Sequence, residues 1–81
     1  MESKRHVIVI AQRGWIFEGW QEHRDDDVIS LKEANVVRRW SNGRGIGGLV
    51  KAEYKHEYTL DPVGSITFAP GGVIAVIDIE W

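Results

Sequence analysis

Three groups of residues in this chain could do chemistry. Gly43, Gly45 and Gly48 spell G-x-G-x-x-G, a pattern that cradles a dinucleotide pyrophosphate when it joins a strand to a helix. Arg38, Arg39, Trp40, Asn42 and Arg44, with Lys51 beyond them, put cations beside an aromatic ring and a side-chain amide. That combination suits phosphate contacts and base stacking. Asp25, Asp26 and Asp27 place three carboxylates side by side, and His6, His23 and His56 are the three histidines.

Context excludes two of these readings. A dinucleotide fingerprint needs a crossover helix and an acidic residue about 20 positions on. Position 68 is Phe, and too few residues separate Gly45 from the strand-like Ala52 to hold a helix. A P-loop would need Lys-Ser/Thr after its last glycine, and Leu49-Val50 stand there. No nucleotide or other cofactor is therefore expected. The three aspartates lack the alternate spacing and closing glutamate of a calcium loop, so they read as a solvated turn and no metal site is expected. The three histidines fall in different elements, and no His, Asp or Glu recurs at a ligand-like spacing. With no cysteine present, the chain offers no nucleophile–base pair, no catalytic residue is nominated, and an enzyme is not expected.

The basic group survives as the one candidate site: Arg38, Arg39, Trp40, Asn42, Arg44 and Lys51. The formal net charge is −2, which carries no global nucleic-acid signature. Charge is nevertheless uneven. Residues 38–55 hold five cations against Glu53 alone, a net of +4, whereas residues 56–81 hold Glu57, Asp61, Asp78 and Glu80 with no Lys or Arg. Anions should be drawn to the first segment. The competing reading puts Trp40 in the core and leaves the arginines merely solvated.

The elements that must position these residues read as β. Val7–Ala11 is a β-branched run apolar on both faces, as in a central strand. Arg13-Gly14 reads as a hairpin turn, and the aromatic stretch from Trp15 as a strand in which Gly19 marks a bulge or sharp bend. Residues 24–27 form a charged tip. Val28–Trp40 reads as a strand with a bend near Ala34-Asn35. Ile46 and Leu49, three apart, would share one side of a short helical turn or compact loop that folds them onto an open end of the barrel. Ala52–Leu60 alternates as a half-buried strand with His56 on its apolar side. Asp61–Gly64 and Pro70–Gly72 are turns by composition, flanking a short strand at Ser65–Ala69. Val73–Ile79 is a final apolar strand. The expectation is a single mainly β domain over 1–81: a small, strongly bent antiparallel sheet, or an SH3- or Sm-like barrel of five to six strands. At most one short helical turn is expected, near 45–50.

The segment from His6 to Val50 resembles small proteins of unknown function encoded by tailed phages and prophages. Those open on V-I-V-R-T-x-x-A-G-V-x-x-G and continue through L-x-x-A-R-R-x-W-x-W-x-G-A to L-x-x-L-A. Val7-Ile8-Val9, Gly14, Gly19, Leu31, Ala34, Trp40, Gly43, Ile46 and Leu49 take those places. The chain departs where the family has paired arginines, having Asn35-Val36 instead, and its C-terminal half matches poorly. The resemblance implies phage ancestry and a β-rich fold, and no activity. The strand order is also similar to the first half of Sm-like and SH3-like barrels, a likeness of fold alone.

Partners follow from size. Eighty-one residues bury a small core, and no disulfide is available to brace it. Two-sided apolar strands and four Trp point to a homo-oligomer. The leading reading is thus a non-enzymatic oligomeric binding module, with nucleic acid as candidate ligand. The alternative is a phage structural or host-interaction protein, an anti-defence protein for example, that binds a host or phage protein. No stretch is long enough to span a membrane, and the expected location is the host cytoplasm.

Overall fold

The computed structural model describes residues 5–22, 29–41, 43–69 and 71–81. Five antiparallel strands form one open sheet: β1 (Arg5–Ala11), β2 (Ile16–Gln21), β3 (Ile29–Trp40), β4 (Tyr58–Phe68) and β5 (Val73–Asp78), in the order β4-β3-β2-β1-β5. β1 is central because it is apolar on both faces. Val7, Ile8 and Val9 are all fully buried. The β1–β2 hairpin turns at Arg13 and Gly14, both at positive φ (65° and 80°), the backbone that a tight primed turn requires.

Each face of the sheet has its own core. One is built from strand residues alone: Val7, Val9 and Ala11 on β1, Phe17 on β2, Ile29, Leu31 and Ala34 on β3, and Phe68 on β4. Among the described residues only strands cover this face, so the sheet must curl over itself to bury it. Two devices produce the curl. Gly19 interrupts the β2–β3 register between Glu18 and Trp20, and a Cβ there would lie 3.0 Å from the Cα of Ala34, so the strands approach more closely than a side chain permits. Opposite, the β3–β4 register shifts between Leu31 and Asn35, and Glu33 takes a φ of 50°.

The other face buries Ile8, Val37, Leu49 and Tyr58. Its cover comes from two 3-10 turns, Ile46–Val50 and Ala52–Glu57, and from the residues after β5. Ile46 and Leu49 lie on one side of the first turn, as their spacing predicts, and Leu49 is fully buried.

The structure corrects three expectations. Ala52–Leu60 is not a strand: a 3-10 turn runs to Glu57 and β4 starts at Tyr58. Of the alternating set, Ala52 and His56 are exposed, while Tyr54 and Tyr58 pack on the second core. Tyr54 and Tyr58, four apart, span the 3-10 turn, and Leu60, two beyond Tyr58 on β4, packs on the same core. His56 is accordingly not a half-buried histidine. Asp61–Gly64 does not reverse the chain. It lies inside β4 where the register with β3 slips, and Gly64 there has a φ of 81°. Turn residues in an edge strand make an irregularity rather than a turn, because the ladder resumes at Ile66–Phe68. As expected of a small antiparallel sheet, the described residues form five strands in one open sheet whose outer strands are β4 and β5. The charged tip at 24–27 and Pro70 lie outside the described residues.

Candidate functional site

Three of the four nominated cations meet carboxylates. Arg38 projects from β3 and donates to Asp61 of β4 at 2.7 Å. Arg44 lies over the ring of Tyr54, 3.7 Å from its centroid, and its Nε donates to Glu57 at 3.4 Å. Lys51 reaches Glu80 at 3.3 Å. Arg5 completes the pattern by donating its Nε to Asp78 at 3.0 Å. The four carboxylates that make 56–81 acidic are therefore the partners of three cations from the basic segment and of Arg5. Of the five cations in 38–55, three thus meet carboxylates of 56–81, and Lys55 lies over the Trp81 ring, 4.6 Å from its centroid. Arg39 is exposed and has no ion pair among the described residues. It lines a polar recess of about 310 Å³ with Arg38, Thr59 and Asp61.

Trp40 is half-buried. It leans against Tyr58, ring centroids 5.6 Å apart, and belongs to the second core. Asn42 lies outside the described residues. The glycines beside them have backbone roles. Gly45 takes a φ of 67°, and its carbonyl accepts from the Tyr58 hydroxyl. Gly48 leaves room for that hydroxyl, which a Cβ would strike.

A second constellation was invisible in the sequence. His6 and Glu18 meet on the second face, with side chains only 4 % exposed each. The imidazole Nε2 contacts Glu18 Oε2, and the other carboxylate oxygen accepts from Asn35 Nδ2 at 2.7 Å. Nδ1 contacts the backbone oxygen of Trp81. The ring stacks on Trp20 at 4.3 Å and meets Trp81 edge-on at 4.4 Å. Trp81 in turn donates its indole N–H to the Leu49 carbonyl at 2.8 Å, and the Glu80 amide donates to Val50 at 2.9 Å. The cluster thus fastens the residues after β5, and through them the first 3-10 turn, onto the sheet.

Both imidazole nitrogens are engaged, and the pair is nearly sealed from solvent. The register of the β1–β2 hairpin was the signal that could have found it. Reversal at Arg13-Gly14 sets Ile8 opposite Glu18 and His6 opposite Trp20, which makes His6 and Glu18 diagonal neighbours on one face.

The exposed apolar surface lies elsewhere. Trp15 is 58 % exposed at the end of the β1–β2 turn. It borders a groove of about 440 Å³ with Phe17, Ile66 and Phe68, and no charged side chain lines it. Among the described residues no group of three His, Asp or Glu could hold a metal ion, and no helix is long and apolar enough to cross a membrane. Comparison with protein-family models, curated proteins and solved structures finds no match.

Proposed function

We propose that the chain is a phage-type, non-enzymatic and self-associating β module that binds a protein partner through the Trp15 groove. One observation carries this choice over nucleic acid: three of the four cations nominated to hold phosphate already face carboxylates, while the groove offers uncharged, exposed aromatic surface. A cation tied to a carboxylate presents little net field to a polyanion, and releases few counterions on binding it. An exposed Trp beside a rim of aromatic and branched apolar residues is the composition of a binding hot spot. The partner that fits is an apolar segment of another protein, recognised by burial rather than by charge. Nucleic acid stays as the second reading because Arg39, beside Thr59, has no ion pair among the described residues.

The experiment is a comparison of wild type with Trp15→Ser and with Arg38→Ala/Arg39→Ala as baits in cell extract, each shown folded by circular dichroism. The reading expects a protein recovered by wild type and by the double arginine variant, and lost with Trp15→Ser. Recovery that depends on the arginines and is abolished by nuclease would reverse the choice.

A further inference from the structure

The two edges of the sheet differ. β4 carries Pro62, which has no N–H to offer, Gly64 at positive φ, and three slips against β3. Such devices are those by which natural sheets blunt an edge. β5 (Val-Ile-Ala-Val-Ile-Asp) has no proline and no lysine, and its only charge, Asp78, is held by Arg5. Its inner edge bonds to β1. The Ile79 amide donates to His6, which fixes the alternation: Ile77 and Ala75 bond inward to Ile8 and Ile10, while the N–H and C=O of Val76 and Asp78 point outward. Beyond Asp78 the edge is closed, since the Glu80 amide is taken by Val50. Before Val73 it is closed by the Gly71-Gly72 turn, whose Gly72 amide bonds Ala69 at 2.9 Å. What is open is a window the length of β5 itself.

We infer that a second copy of β5 fills that window, antiparallel and related by a two-fold axis at Ala75. The inference rests on the self-associating part of the proposed function and assigns it a surface. Residues 73–77 read nearly the same in both directions. Centred on Ala75, Val73 faces the partner copy's Ile77, Ile74 faces Val76, and Ala75 faces itself, so apolar residues meet apolar residues throughout. Asp78 then falls opposite Gly72 and meets no like charge. Other centres bring Asp78 against Ile74, Ala75 or Val76. Ile74 is the residue at the β1–β5 register shift, and its side chain, 66 % exposed, lies free for this contact. Ala75 bonds inward to β1, so across the axis it forms the closer, non-hydrogen-bonded kind of pair, about 4.5 Å between Cα atoms, where a small side chain fits. The blunted β4 edge cannot serve as the strand that covers β5.

The test uses the absence of native cysteine. Ala75→Cys should form a disulfide-linked dimer under mild oxidation, because such a pair lies within disulfide reach. Val63→Cys, exposed on β4, should not. Sedimentation equilibrium should find a wild-type dimer. Val76→Pro, which removes an outward N–H from both copies, should weaken it roughly tenfold to a hundredfold. Ile74→Lys, at an exposed side chain, should do the same while circular dichroism stays native, which separates lost pairing from lost folding. A wild-type monomer at all concentrations would overturn both this inference and self-association. A dimer unaffected by Ile74→Lys, with no Ala75→Cys crosslink, would overturn the β5 surface and leave self-association standing.

Discussion

Glu18 and Glu57 are both glutamates facing a basic side chain, and they do opposite work. Glu18 lies with His6 between the sheet and Trp81, almost without solvent. Glu57 meets Arg44 at the surface, both side chains still about a third exposed or more (31 % and 43 %). Burial decides what the pairing is worth. At the surface the attraction is screened, and the loss of side-chain freedom nearly offsets it, so one such pair contributes about 0–1 kcal/mol. Inside, removing one partner strands the other where water cannot reach it, at a cost of about 3–5 kcal/mol. The surface pairs therefore act mainly on the field around the protein. The buried pair acts on whether the second face stays closed.

Substitutions can break this contrast, beginning with the largest effect. Glu18→Leu should destabilise the fold by about 3–5 kcal/mol in urea titration, because both His6 and Asn35 lose their acceptor. A change under about 1 kcal/mol would mean the cluster is incidental. Leu49→Ala should cost about 2–5 kcal/mol, since this fully buried side chain is what the first 3-10 turn delivers to the second core. The same experiment sharpens the contrast if fluorescence shows Trp81 released first, because its indole is bonded to the Leu49 carbonyl.

Gly19→Val tests the other face. Its Cβ would press on Ala34 at 3.0 Å, so overpacking should cost about 1–3 kcal/mol at the bulge that curls the sheet. Smallest of all, Arg38→Ala should change stability by less than about 1 kcal/mol, and by less still as salt rises.

These regions were unequally legible. The β1–β2 hairpin, the Gly19 irregularity and the inward pair Ile46/Leu49 could be read directly, because each depends on residues close in sequence. Local signals misled at two places. Alternation over 52–60 suggested a strand throughout, but Ala52 and His56 are exposed, and the strand starts only at Tyr58. The Asp61–Gly64 composition suggested a reversal, whereas an edge strand absorbs such residues as an irregularity. The candidate site was legible only as composition. Uneven charge along the chain says that cations exist, while pairing such as Arg38 with Asp61 or Lys51 with Glu80 depends on which strand lies beside which. The His6–Glu18 contact needed the hairpin register as well as the residue types.

The fold turns three cations of the basic segment onto its own carboxylates, and we propose that this leaves the apolar groove as the contact surface. A gel-shift titration with single- and double-stranded DNA and RNA at low salt tests it most directly. The account predicts no saturable shift with any of the four, for wild type and for Arg38→Ala/Arg39→Ala alike. A shift that saturates, weakens steeply as salt rises and disappears in the double variant would contradict it.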